Sequence, residues 1–421
     1  MAQQLQSLSD SLPSVSTLVN GITNAFHNAT SLVSGAPDAG EITCWLIDTR
    51  KLWPGTKIWD APGAAEAMAL ISVAEQNAIS TKMFIQDARM SLASALIKRL
   101  YISRTLDIPW KDVVFARKGD AQHGKPCVVD VAGKPIEGID FNVSHQAGLV
   151  TLIGWNGKQR HSYSSEGIIE GSVNTPAAED FDTNVMVGTD IVCVHERNDD
   201  RTIEEEGLES WVDTFDFVFS DEERWSMKFD VDYVTLADGN ILSKEELGRH
   251  DRCVQRNRNL AVTTKEGEAI TLNSNRIIEA KLRRFYTYFC YKEAYIKLAG
   301  EALLAPWLKE LEFFNVRSPK PADPPQKNGF SQWGEEVDDV EVHLKGEEVG
   351  DVRMNITAFD TNHMVSTAIQ GKIKGIKVPR FSSIDLQKDI LDYAHQHLKI
   401  APTTHTLAAS DDAKDHVSCL I

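Results

Sequence analysis

Along the stretch RRFYTYFCYKEAYIKLAGEALLAPW, residues 283–307, apolar side chains return every three or four positions. That spacing predicts an α-helix. Wound at about 100° per residue, Phe285, Tyr288, Tyr291, Tyr295 and Leu298 form one stripe for a core. Phe289, Glu293 and Lys297 follow one another by fours on the opposite side. A second helix is predicted for DARMSLASALIKRLYISRTLDIPW, where Leu92, Leu96 and Leu100 recur. Asp87 is its expected cap, and IPW ends it. Ser220 and Glu223 in FSDEERW have capping-box spacing and predict another helix start.

Shorter apolar runs predict strands. EITCWLIDTR is the first, and DFNVSHQAGLVTLIGW is two strands around turn residues near Gln146 and Gly148. VMVGTDIVCV is apolar on both faces, as in a buried strand. VEVHL, VRMNITAF and HMVSTAIQ add three more, and SIDLQKDILDYAHQHL predicts a last helix. Strand–helix–strand material therefore occurs on each side of residue 185, which points to an α/β (α+β) fold in two halves. The expected division is a weakly ordered segment 1–40, a first half 41–184, a second half 185–380 and a C-terminal helix and tail 381–421. Residues 228–280 are polar without sustained period and read as an insertion in the second half.

The chain has 421 residues and a formal charge of −17, which excludes nucleic acid as a partner because phosphate backbones require a basic footprint. No run approaches membrane-spanning length, and the first basic residue is Arg50, so neither a membrane span nor a targeting peptide is expected. The six cysteines contain no CxxC pair and suit a reduced, cytoplasmic protein.

Two acids stand out. Asp190 lies inside the apolar strand MVGTDIVCV, where an unpaired carboxylate is costly. It either points to the strand end or meets a cation, from a side chain or a metal. Glu293 with Lys297 is either an exposed helical ion pair or the wall of a cleft. Two carboxylates from distant segments, completed by phosphate oxygens and water, would suit magnesium. Arg117, Lys118 and Lys125 in ARKGDAQHGKP, then Ser144 and His145 in NVSH, supply donors suited to phosphate. Neither GxxxxGK[ST] nor GxGxxG is present.

In order, GKP, FNVSHQ, VGTDI, FSDEE and YKEAYIKLAG resemble the motifs of the surfactin-type 4′-phosphopantetheinyl transferases. WLIDTR and the long helix look most like the fungal enzymes of secondary metabolism and lysine biosynthesis. The resemblance implies two halves related by a pseudo-twofold axis, with coenzyme A between them. It implies Mg²⁺, with Mn²⁺ as an alternative, bound by Asp190 and Glu293. Glu293 would also be the base for a carrier serine, and Lys297 would stabilise the pyrophosphate. Arg117, Lys125, Pro126, Asn142, Ser144 and His145 would hold coenzyme A, with Ser144 and His145 at the 3′-phosphate. Implied partners are apo carrier domains of polyketide synthases, nonribosomal peptide synthetases and aminoadipate reductase, acting with a monomeric enzyme. Three positions depart from the family pattern. Val192 stands where many relatives have a second acid, Phe289 replaces a Trp, and Ala78 falls near an expected base for which Lys82 is the substitute.

Two other functions compete: a metal-assisted hydrolase of coenzyme A-like phosphoanhydrides, and a non-catalytic coenzyme A or carrier-binding module. Asp190, Glu293 and Lys297 together argue against the latter, since binding alone requires no base. Carrier docking is expected to be mainly apolar with a local basic rim, at KLRR (281–284) or KIKGIKVPR (372–380).

Overall fold

The structure, a computed structural model, describes residues 40–118, 124–157, 185–196, 199–301, 305–322, 332–371 and 377–398. The expectations for the N-terminal segment and the tail beyond Leu398 lie outside the described residues, as does the polar stretch 158–184, which the sequence predicts as a loop.

The first half opens with β1 (Glu41–Asp48), α1 (Ala64–Ala69), α2 (Val73–Ser80) and α3 (Ile85–Leu106). Paired β2 (Val114–Arg117) and β3 (Pro126–Val129) precede β4 (Ile139–Gln146) and β5 (Leu149–Asn156). Next come β6 (Met186–Cys193), α4 (Asp199–Glu206), α5 (Leu208–Asp213) and α6 (Asp221–Phe229). The insertion carries β7 (Tyr233–Thr235), β8 (Ile241–Ser243), α7 (Lys244–Leu247), β9 (Asn259–Thr263) and β10 (Ala269–Asn273). The long helix is α8 (Asn275–Ala299). β11 (Leu311–Phe314), β12 (Trp333–Val337), β13 (Glu341–Leu344), β14 (Glu347–Glu348), β15 (Val352–Phe359) and β16 (His363–Gln370) follow. β17 (Ser382–Ser383) and α9 (Asp392–Leu398) close the described chain.

The fold is mixed α/β. One sheet has the order β17-β1-β5-β4 and the other β12-β15-β16-β6. α3 packs Leu92, Leu96 and Leu100 into a core with Phe141, Val150 and Leu152 of the first sheet. α8 does the same for the second with Phe285, Tyr291, Tyr295 and Leu298. The C-terminal segment returns to the first half: β17 runs parallel to β1, and Ile390, Leu391 and Ala394 join the α3 core.

The predicted strands and long helices form, and Ser220 with Glu223 makes a complete capping box. Asp87 is not a cap. Phe84 holds that position without a side-chain bond, and Asp87 sits in the first turn of α3. The insertion is not featureless: Val234, Leu242, Leu247, Val262 and Leu272 form a small core of their own. Its paired strands β9 and β10 bury one residue each, too few to reveal a period. Among the described residues, no helix is long and apolar enough to cross a membrane.

The two sheets meet at the free edges of β4 and β6, without backbone pairing between those strands. Alternate N–H groups of β6 donate instead to alternate side chains of β4. Val187 N–H reaches Asp140 Oδ2 at 2.9 Å, Thr189 N–H reaches Asn142 Oδ1 at 3.1 Å, and Ile191 N–H reaches Ser144 Oγ at 3.3 Å. The buried Lys125 ammonium bonds the Asp140 carboxylate and donates to the Val187 carbonyl at 2.7 Å. Apolar side chains of both sheets, among them Leu46, Ile153, Val187, Ile191 and Val365, pack around this joint. At its margin Arg50 of the first half bridges Asp360 of the second at 3.0 Å.

Near that bridge, His363 is buried with neither ring nitrogen hydrogen-bonded. Burial first, and the Arg50 charge next, push its pKa down to about 4 from an ordinary 6.5. The unfolded chain therefore takes up this proton first, and stability should fall as pH drops through that window. The loss between pH 7 and pH 5 should be about 2 kcal/mol from this residue alone. Urea unfolding of His363→Phe should show a correspondingly flatter pH profile. Equal slopes in variant and wild type would show that His363 is not the titrating group.

Candidate active site

α8 carries the centre of the site. From Lys281 to Leu298 every residue is buried except Phe289, Glu293 and Lys297. The face predicted to oppose the core stripe is thus the only one that opens outward, and it opens into a cavity of about 590 Å³. Gly188 of β6 makes this approach possible, since a Cβ there would come within 2.2 Å of the Ala294 carbonyl oxygen. Asp190, two residues along β6, therefore faces the Glu293–Lys297 side of the helix at short range.

A buried ion pair sets the height of α8. Lys292, fully enclosed, bonds Glu223 at 2.9 Å, the Leu308 carbonyl at 3.0 Å and the Leu311 carbonyl. Glu223 also accepts the N–H groups of Ser220 and Phe313. Burial raises the Glu223 pKa and lowers that of Lys292, and in each case the partner's charge works against the shift. The capping acid of FSDEE and the first lysine of YKEAYIK are thus one structural unit, with Glu293 turned outward beside it.

Asp190 is buried but not alone. Its Oδ1 accepts the Ser144 hydroxyl at 2.7 Å and the Lys297 ammonium. Lys297 also donates to Ser144 Oγ at 2.9 Å and lies 4.0 Å from Glu293. Burial opposes the Lys297 charge, but Asp190 and Glu293 outweigh it and hold its pKa above the ordinary lysine value. His145 stands on the cavity wall. The residue is exposed, but the desolvation imposed by the surrounding wall, then the Lys297 charge, holds its imidazole below the ordinary value, and Lys82 adds to the effect.

Asp190, Glu293, Lys297, Ser144 and His145 come together around one cavity. Arg117, Lys125, Pro126 and Asn142 are not among its lining residues. Arg117 is exposed and donates to the Gly124 carbonyl at 2.7 Å. Lys125 and Asn142 are buried in the β4–β6 joint. Val192 is also buried, packed in the apolar core of the second half, so no open place for a further acid exists there. KLRR is not a docking surface. Lys281, Arg283 and Arg284 are buried and bonded to the Cys253 carbonyl, the Pro319 carbonyl and Asp232, respectively. Helical spacing alone did not reveal that α8 is enclosed on nearly all sides. In KIKGIKVPR, residues 372–376 lie outside the described residues, while Lys377 and Arg380 are exposed.

Sequence reasoning missed several residues of the cavity wall. Gln146 follows directly on NVSH and has a buried amide nitrogen without an acceptor. Glu196 also lines the cavity and accepts the Ala147 N–H at 3.0 Å. Phe215 and Phe217, from the run TFDFVF, form an apolar end with Phe289. The FDF alternation was the available signal.

Asp190 and Glu293 offer hard oxygen donors from two elements, flanking one ammonium. Among the described residues no group of three or more potential ligands occurs. That set suits a hard divalent cation that keeps water and substrate phosphates as its other ligands.

Two carboxylates, an ammonium and an imidazole around one cavity are the groups that acid–base and electrostatic handling of an anionic group requires. The family model for the N-terminal region of 4′-phosphopantetheinyl transferases matches residues 59–156. A 4′-phosphopantetheinyl transferase of Aureobasidium melanogenum is 55% identical over 353 residues, 84% of this chain and 97% of that protein. 4′-Phosphopantetheinyl transferase A of Aspergillus fumigatus is 34% identical over 342 residues, 78% of this chain and 83% of that protein. An L-aminoadipate-semialdehyde dehydrogenase-phosphopantetheinyl transferase of Schizosaccharomyces pombe is 33% identical over 109 residues, 26% of this chain and 39% of that protein. The chain belongs to the 4′-phosphopantetheinyl transferase family. It transfers the 4′-phosphopantetheine arm of coenzyme A to a serine of carrier proteins and releases adenosine 3′,5′-bisphosphate. Members of the family use coenzyme A generally with a divalent metal.

The Lys292–Glu223 pair gives a direct test of how the helix is held. Lys292→Met alone should destabilise the fold by about 3–5 kcal/mol, because it leaves a buried carboxylate unpaired. Adding Glu223→Gln should recover a clear part of that loss, since the amide oxygen still accepts the Phe313 N–H. Urea unfolding would measure both. A single-variant cost below about 1 kcal/mol, the level of a surface pair, would refute the anchoring role.

Proposed function

We propose that Asp190 and Glu293 hold Mg²⁺ and that Glu293 is the base for the carrier serine. The observation that carries this reading is the convergence of Asp190, Glu293 and Lys297, from β6 and α8, on one cavity. The bound cation would neutralise charge on the diphosphate of coenzyme A. Glu293 takes the proton from the serine hydroxyl. The serine oxygen then bonds to the β-phosphorus, and the bond from that phosphorus to the bridging oxygen breaks. The electron pair leaves with adenosine 3′,5′-bisphosphate. Lys297 turns from Asp190 and Ser144 to the 5′-phosphate oxygens of the leaving nucleotide. His145, with Ser144 beside it, meets the 3′-phosphate, and Arg117 lies nearer the outer end of the nucleotide. Lys125 and Asn142 support the strand that carries Asp190 rather than the nucleotide itself.

The two sheet-and-helix units, residues 41–184 and 185–380, are in this reading pseudo-twofold halves of one monomeric, cytoplasmic enzyme. The described cysteines, all unpaired, suit that compartment. The substrates are carrier domains of polyketide synthases, nonribosomal peptide synthetases and aminoadipate reductase. The last is supported by the Schizosaccharomyces pombe relative, an L-aminoadipate-semialdehyde dehydrogenase-phosphopantetheinyl transferase. The carrier docks at the apolar end of the cavity, where Phe217 is 61% exposed.

Glu293→Gln should cut transfer by about 10²–10⁴-fold with the fold intact, as expected for loss of a base. Mass spectrometry of an apo carrier after incubation with enzyme, Mg²⁺ and coenzyme A reads this as loss of the phosphopantetheine mass gain. Retention of more than about a tenth of wild-type turnover, outside that range, would remove Glu293 from the chemistry. A carrier left unmodified by the wild type while coenzyme A is cleaved would instead favour the hydrolase.

Phe217→Ala should raise KM for the carrier by roughly tenfold, the scale of one buried aromatic contact, and leave KM for coenzyme A unchanged. Steady-state kinetics with each substrate varied in turn would show it. An unchanged carrier KM would move docking away from the Phe215–Phe217 rim.

A further inference from the structure

The β4–β6 joint does more than hold two sheets together. Asp190 sits between Thr189 and Ile191, and both flanking N–H groups are fastened to β4, by Asn142 at 3.1 Å and Ser144 at 3.3 Å. The Thr189 hydroxyl fixes the same residue to the other neighbour, donating to the Ser366 carbonyl at 2.9 Å. Ser144 bonds the Asp190 carboxylate directly. Asn142 touches neither that carboxylate nor the cavity lining, and it is buried.

We infer that Asn142 is a positioning residue: by accepting the Thr189 N–H it sets the place of Asp190 relative to Glu293 and Lys297. Coenzyme A does not contact it. This rests on the proposed role of Asp190. The effect follows from the rungs on either side. Without an acceptor at 142, the Thr189 N–H is left buried and unpaired, a state the strand relieves by shifting. Asp190 is the next residue and moves with it. A displacement on the scale of 1 Å at a reacting group costs on the order of 10²-fold in rate.

Asn142→Ser and Asn142→Ala differ by one oxygen and leave nearly the same space. The serine hydroxyl is the same acceptor that Ser144 already offers Ile191 one rung along. We expect Asn142→Ala to lower kcat by roughly 10- to 100-fold. Asn142→Ser should stay within about threefold of wild type, the rung being shortened but kept. Calorimetric titration of coenzyme A into each variant, in EDTA buffer so that no cation links Asp190 to the diphosphate, should give a Kd within about twofold of wild type, because Asn142 itself makes no contact with coenzyme A. Weakened coenzyme A binding in both variants would make Asn142 a ligand and overturn the inference. Equal kcat in the serine and alanine variants would reduce it to a space-filler and also overturn it. Asp190→Ala is assayed beside them: full activity there would sink the role of Asp190 itself, whatever the outcome at position 142.

Discussion

The structure depends on how one strand edge is satisfied. β6 is bonded by β16 on one side, and its other edge is buried against the first half of the molecule. A buried backbone N–H must find an acceptor. Here side chains replace a neighbouring strand. Lys125 and Asp140 supply both the donor and the acceptor that Val187 would have found in a paired strand. Asn142 and Ser144 serve the next two rungs. The two-residue period of β4 matches that of β6, so all three contacts fall in register. The price is a buried ion pair, tolerable because its members bond each other and the backbone.

That joint determines what α8 can do. With β6 held from one side, Gly188 lets the helix lie directly on the other, and the cavity forms where the 289–293–297 face clears the sheet. Asp190 belongs to the strand, Glu293 and Lys297 to the helix, and Ser144 to the far side of the joint. The Ser144 hydroxyl donates once and accepts twice, which is all that a hydroxyl can do. Pre-organisation of the acid thus rests on a saturated network, and that is the arrangement in which buried polar groups are rigid.

Much of this was legible in the chain. The α8 stripe, the Ser220–Glu223 box and the buried β6 strand follow from spacing and chemistry, whereas the pairing of Asp190 with Glu293 stood as one alternative until the family resemblance implied it. Spacing could not show which cations face inward. Lys125, Lys281 and Arg283 read as ligand-binding or docking charges, and Lys292 drew no reading, yet each is buried on carbonyls or an acid supplied by distant segments. Pairings between residues so far apart leave no local period. The Ser72–Glu75 capping box that starts α2 was there to be read. The small core of the insertion was not, because its paired strands β9 and β10 bury one residue each.

The burial of cations also changes the surface. A chain of formal charge −17 encloses six of its 44 lysines and arginines: Arg99, Lys125, Lys281, Arg283, Arg284 and Lys292. Several of these are neutralised by acids drawn in with them, as Lys125 is by Asp140 and Lys292 by Glu223. Those that bond only carbonyls, such as Lys281 and Arg283, leave their counter-charges outside. With a formal charge of −17 on the whole chain, an acidic carrier is not steered in by net charge. Association then falls to short-range contact, for which an exposed aromatic rim beside the cavity is suited. The same lysines and arginines that fix the catalytic helix are unavailable for docking, so rigidity of the site and electrostatic recruitment compete for one set of residues.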